Sequence, residues 1–213
     1  MQGTDAIFYI AILIMSVVIH EVSHGFMAEY FGDDTARNAG RLTLNPIKHL
    51  DLFGSIILPA VLILSHAGFL FGWAKPVPYN PNNLSNRKWG TIAVAAAGIL
   101  ANLMIAIVFG LLIRLAPSLG FSIFNPLAQI SFYKITSIIV LINLALAVFN
   151  LIPIPPLDGS KIFFSFLPES AFLFISAYER YSFFLLLIFI IFFSNYLYPI
   201  LSFFFNFITG LTF

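Results

Sequence analysis

The stretch AIFYIAILIMSVVIHEVSHGFMAEYF, residues 6–31, decides how the rest of the chain is read. Ala6 to Ile19 is an apolar run, and it continues directly into His20, Glu21 and His24 before apolar residues resume at Phe26. Crossing the hydrocarbon of a bilayer as a helix takes about 20 apolar residues, and residues 6–31 suffice if the embedded ionisable groups are tolerated. The run could be mistaken for a signal peptide. However, Met1 to Asp5 carries no Lys or Arg, and the run leads into His and Glu rather than small residues suited to cleavage. A membrane helix kept in the mature chain is therefore expected.

Within that helix, His20-Glu21-Val22-Ser23-His24 has the pattern H-E-x-x-H. A spacing of four residues puts both imidazoles on one helical face, where they can share a single Zn²⁺. Glu21 then lies beside the metal, ready to take a proton from water whose pKa zinc lowers to about 7. A chance match is the alternative. The setting argues against chance, because ionisable side chains at membrane depth are costly and mark function by default.

The composition fits the same picture. Apolar residues make up 60% of the 213 residues and charged residues 9%, against about 45–50% and 25% in soluble domains. So much apolar surface could not be hidden from water by a soluble fold of this size. The chain reads as an integral, multi-pass membrane protein. A net charge of +1 excludes a nucleic-acid binder working through basic excess. With Cys 0, disulfides, thiolate catalysis and Cys-ligated metal are excluded, so any metal must be held by His and carboxylates.

Further spans follow: Thr91 to Leu115, Ile130 to Leu151, and a Phe-rich Tyr181 to Phe207 with Pro199 as a candidate bend. Lys161 to Arg180 reads as a broken interfacial stretch around Pro168. Leu52 to Phe71 is apolar but interrupted by Gly54, Pro59, His66 and Gly68. Basic residues collect in cytoplasmic loops. Placing Arg37, Arg41, Lys48, Lys75, Arg87, Lys88, Lys161 and Arg180 inside, and Arg114 and Lys134 outside, makes helix 1 end inside. Leu52–Phe71 must then start and finish on the cytoplasmic side, as a re-entrant segment. The expected fold is all-α and polytopic, with about four full transmembrane helices plus that segment. Gly40–Pro46 (GRLTLNP) and Gly72–Pro81 (GWAKPVPYNP) are expected as short extended or β segments near the cytoplasmic membrane face. Residues 1–213 form a single domain in this reading, with a core at about 6–160 and a C-terminal part at 161–213.

A zinc site of this type needs a third protein ligand and an open position. His49, His66 and the carboxylates are candidates. Asp158 stands out, because it follows a late helix in Asn150-Leu151-Ile152-Pro153-Ile154-Pro155-Pro156-Leu157-Asp158-Gly159, on the side of the membrane where helix 1 ends. Its alternatives are capping a helix that begins near Ser160 or a plain Asp-Gly turn.

Together, HEVSH in a first membrane helix and NLIPIPPLDG after a late one closely resemble the site-2 protease family of intramembrane zinc metalloproteases, peptidase family M50. The family's N-x-x-P-x-P-x-L-D-G pattern is matched by Asn150, Pro153, Pro155, Leu157, Asp158 and Gly159. Gly98-Ile99-Leu100-Ala101-Asn102 resembles its G-x-x-x-N element, with Ile99 where many members carry Pro. GRLTLNPIKHLDLFG and FGWAKPVPYNP are similar to the compact prokaryotic branch without PDZ or CBS domains. The resemblance runs from about Ile10 to Lys161. It implies one Zn²⁺ per chain held by His20, His24 and Asp158, with Glu21 as general base. It further implies Asn102 and Asn150 as polar groups aiding substrate backbone or oxyanion, and transmembrane protein substrates such as anti-sigma or pro-sigma regulators in a prokaryotic inner membrane.

On the residues alone, Asn102 and Asn150 could instead be interhelical hydrogen bonds. His49 and Asp51 could orient the site or anchor a loop, and His66 is expected to have a bland role. Trp73, Trp89 and the Tyr residues fit an interfacial belt. The competing functions are a small channel or transporter using the intramembrane His, Glu and Asp, or an inactive relative. A transporter would more often carry internal repeats, and none stands out.

Overall fold

A computed structural model describes residues 3–57, 61, 64, 74–120 and 125–211. The apolar runs become long helices: α1 (Gly3–Tyr30), α3 (Arg87–Leu115) and α4 (Pro126–Asn150). Each is long and apolar enough to cross a membrane. Their starts are set by capping. The Asn86 side chain accepts the Trp89 N–H at 3.0 Å, and the Asn125 side chain accepts the Ala128 N–H at 2.7 Å with Pro126 in the first turn. Short helices α2 (Thr35–Asn38) and α5 (Asp158–Ser165), then α6 (Phe172–Arg180), α7 (Ser182–Phe193) and α8 (Leu197–Thr209), follow, with tighter or wider helical turns at Pro46–His49, Leu52–Ile57 and Glu169–Ala171.

Cross-helix contacts fix the directions. Asn102 bonds to Ser16 while His24 bonds to Val94, so α3 runs antiparallel to α1. Asn143 of α4 meets both Asn102 and Ser16, and beyond the end of α4 Asp158 reaches His20 and His24 further along α1, so α4 runs with α1. Helix α3 is the hub and packs against α1, α4, α5 and α8. The chain leaves α1 and enters α3 at one end of the bundle, where the Ser85 N–H donates to the Phe31 carbonyl at 2.8 Å. Asp33 ties the same end together, accepting the Asn80 N–H at 2.6 Å and the Asn83 amide at 2.8 Å. Residues 31–86 therefore start and finish on one face. The expected re-entrant segment Leu52–Phe71 falls mostly outside the described residues, as do His66 and Trp73.

Two expectations need correction. The span Tyr181–Phe207 is not one helix: α7 ends at Phe193, a turn at Ser194–Tyr196 intervenes, and α8 begins at Leu197. Proline lacks an N–H and clashes with the carbonyl four residues back. Breaking the chain at 194–196 puts Pro199 in the first turn of α8, where neither defect matters. A second bend of 62° separates α6 from α7. The other correction concerns the short β segments: among the described residues there is no strand. Pro76 and Pro78 have no N–H to give a ladder, and neighbouring main-chain groups are taken by side chains and turns. The Arg41 guanidinium donates to the carbonyls of Lys48, Lys75 and Pro76, and the Lys75 N–H donates to the His49 carbonyl at 2.8 Å.

Candidate metal centre

Helix α1 presents His20 and His24 one turn apart toward α3. They face Gly98, where a Cβ would lie 2.6 Å from Cε1 of both imidazoles. Glycine there lets the rings rest against the α3 backbone. Asp158, 134 residues after His24 in sequence, arrives from the first turn of α5. The proline-rich turn after α4 returns the chain beneath α1, and Gly159 lies so close to the Leu151 carbonyl that a side chain has no room. The N-cap of α5 is Leu157, with no side-chain cap. Asp158 is therefore committed to the histidines rather than to capping.

The three side chains are buried. Asp158 Oδ2 lies 3.0 Å from His20 Nε2 and 3.1 Å from His24 Nε2, and one ligand atom from each residue fits within 4.8 Å of the others. The opposite ring nitrogens are spoken for. His24 Nδ1–H donates to the Val94 carbonyl at 2.6 Å, and His20 Nδ1–H donates to Asn102 Oδ1 at 2.6 Å. Those acceptors leave each Nε2 with a lone pair aimed at a carboxylate oxygen. Three electron-rich atoms in a buried site require a cation or additional protons between them. A His₂-carboxylate set with its outer nitrogens fixed suits a divalent metal, zinc above all. The second Asp158 oxygen is held by Lys161 Nζ at 3.1 Å. Burial disfavours the charged carboxyl, and the Lys161 ammonium opposes that by favouring it.

Glu21 sits between the histidines on α1, partly buried, and its Oε2 accepts the Val77 N–H at 2.8 Å. Segment 74–80 thus crosses the site rather than lying free of it, and Lys161 Nζ stands 5.8 Å over the Tyr79 ring. Asn102 is fully buried with its amide spent on His20, Asn143 and Ser16. Asn150 is placed elsewhere: its Nδ2 donates to Leu146 O of its own helix at 3.0 Å. His49 anchors a loop, its Nε2–H donating to the Thr43 carbonyl at 2.8 Å, and Asp51 accepts the Gly54 N–H at 2.7 Å. Sequence reasoning missed Asn143, Ser16, Arg41 and Lys161. Of these, Asn143 and Ser16 carried a usable signal, as polar residues inside apolar spans.

Residues 8–193 match peptidase family M50. The chain is 38% identical to the "Putative zinc metalloprotease YwhC" of Bacillus subtilis over 83% of its own length and 76% of that protein's. It is 33% identical to the "Putative zinc metalloprotease Rip2" of Mycolicibacterium smegmatis over 72% of its own length and 54% of that protein's. No solved structure matches it.

Proposed function

The chain belongs to peptidase family M50, and from that premise we propose how it acts as an intramembrane zinc metalloprotease. His20 Nε2, His24 Nε2 and Asp158 Oδ2 would hold one zinc ion. When bound, zinc supplies Lewis acidity that makes nearby water acidic and polarises a peptide carbonyl. Glu21 takes the proton of the attacking water and passes it to the leaving amide nitrogen as the C–N bond breaks. The Val77 N–H holds one Glu21 oxygen in place. Asn102 acts through His20. Asn150, half-buried in the last turn of α4 with its Nδ2 engaged by Leu146, offers its carbonyl oxygen to a substrate N–H.

The observation that carries this reading is the meeting of two chain segments, 20–24 and 158, in one buried three-donor cluster. The substrates are membrane-spanning segments of other proteins, membrane-tethered regulators of the anti-sigma or pro-sigma type among them. Arg37, Arg41, Lys75, Arg87 and Lys88 lie at or beside the end of the bundle nearest the site. By the rule that cytoplasmic loops are basic, the site lies toward the cytoplasmic face of a prokaryotic inner membrane. The catalytic core is residues 6–160.

The test is to purify wild type and Glu21→Gln in detergent, measure zinc, and assay cleavage of a model transmembrane substrate. One zinc per chain in both, with cleavage lost by about 10²–10⁴-fold in the variant, supports the reading. Zinc-free protein that passes ions in liposomes would replace it with a channel or transporter.

A further inference from the structure

Asn143 bonds to Asn102, Ser16 and Ile139 and is fully buried in the last third of α4. Its hydrogen bonds have an order that can be worked out from groups with no choice. The Ile139 carbonyl can only accept, so the Asn143 atom 2.9 Å from it is the amide nitrogen. The same nitrogen donates to Ser16 Oγ at 2.9 Å. Asn143 Oδ1 therefore points at Asn102, whose Nδ2 donates to it at 2.8 Å. A second immovable acceptor, the Ser16 carbonyl, lies 3.3 Å from that Nδ2. With its nitrogen so held, Asn102 must turn Oδ1 toward His20. An acceptor at His20 Nδ1 puts the imidazole proton there and leaves Nε2 unprotonated. An Asn102 amide turned the other way would present its NH₂ to Nδ1 and force the proton onto Nε2, the atom that faces Asp158.

We propose that Asn143 is a positioning residue of the metal centre, which fixes the Asn102 amide and through it the metal-binding tautomer of His20. The inference rests on the metalloprotease reading. It adds a residue from a third helix, which neither motif contains, and makes the packing of α4 against α1 and α3 a condition for zinc binding. Nothing in the covalent geometry of His20 itself selects the tautomer; the choice is imposed from two hydrogen bonds away.

The test is zinc affinity, read by competition with a chromogenic chelator in detergent. Asn143→Leu keeps the branching and heavy-atom count of the side chain but has no acceptor, and is expected to bind zinc about ten-fold more weakly, the lower end for loss of an outer partner of a metal ligand. Asn143→Asp, kept protonated by its burial in the bundle, donates its O–H to the Ile139 carbonyl, keeps the acceptor facing Asn102, and is expected to recover most of the affinity. Ser16→Ala removes only a hydroxyl, leaves Asn143 pinned by Ile139, and is expected to shift affinity less than Asn143→Leu. A folded Asn143→Leu protein with wild-type affinity overturns the proposal, and so does an Asp variant as weak as Leu. Independently of any variant, ¹⁵N NMR of histidine-labelled, zinc-loaded wild type should find His20 protonated at Nδ1 and metal-bound at Nε2. The reverse assignment overturns the proposal even if the Leu variant cannot be purified. Wild-type protein that binds no zinc at all is a different failure, that of the metalloprotease reading itself.

Discussion

The two halves of α3 solve different problems. Its first half, Val94 to Asn102, faces α1 with a carbonyl for His24, a glycine beneath both imidazoles, and an amide for His20. Its second half, Ala106 to Ile113, is wholly apolar toward its neighbours and builds a cluster with Val140, Leu144 and Phe205. Dispersion contacts can be redistributed among many atoms, whereas a hydrogen bond to a fixed carbonyl cannot move by an ångström. One half is therefore specified atom by atom, while the other is specified by volume. In lipid the contrast sharpens, because apolar surfaces gain little by leaving a medium as apolar as themselves.

Glycine substitutions break this comparison most directly. Gly159→Ala should have the largest effect, since its Cβ would overlap the Leu151 backbone carbonyl and push Asp158 away from the histidines. Zinc binding should weaken by about 100-fold or more, measured by chelator competition; retention of wild-type affinity would mean that the α5 turn does not set the site. Gly98→Ala comes next. Its Cβ would sit 2.6 Å from both imidazole Cε1 atoms, so zinc affinity should drop about 10- to 100-fold with helical content retained.

The same change three turns further on sharpens the contrast. At Gly110 the added Cβ would meet Ile208 of α8, a side chain rather than a ligand. Gly110→Ala should cost about 1–3 kcal/mol of stability by overpacking, seen as a lower thermal midpoint in detergent, with zinc stoichiometry unchanged. A Gly110 variant that lost zinc while folded would show the halves to be coupled. Phe192→Leu is expected to do least. Phe192 lies on α7, 66% exposed, and both stability (within about 0.5 kcal/mol) and cleavage should match wild type.

The C-terminal helices show where hydropathy alone misleads. Tyr181–Phe207 carries a continuous apolar signal, and that signal has no means of recording the break at 194–196. Pro199 was visible as a source of bending, but the chain bends upstream of it, because the clash falls on the residue four earlier. The β segments did not form among the described residues for a related reason. Alternation in GRLTL and the proline-rich 72–81 fit extended backbone, but a strand needs a partner ladder. Here Arg41, His49 and Glu21 bind carbonyls and N–H groups of residues 75–77 instead.

What the sequence determined by itself was chemistry and medium. An apolar run that ends in His20, Glu21 and His24 states both the bilayer and the helical face that carries the two imidazoles, because helical spacing is a local property. The prolines and glycine around Asp158 state a turn that ends in a carboxylate. Only the tertiary structure decided which polar residues act on which. Asn102 and Asn150 look alike in sequence, but one reaches His20 across helices and the other bonds its own helix. Asn143 and Ser16 join the site because α4 and α1 cross α3 at the same height. Such partnerships depend on helix register and rotation in three dimensions, which no local spacing encodes.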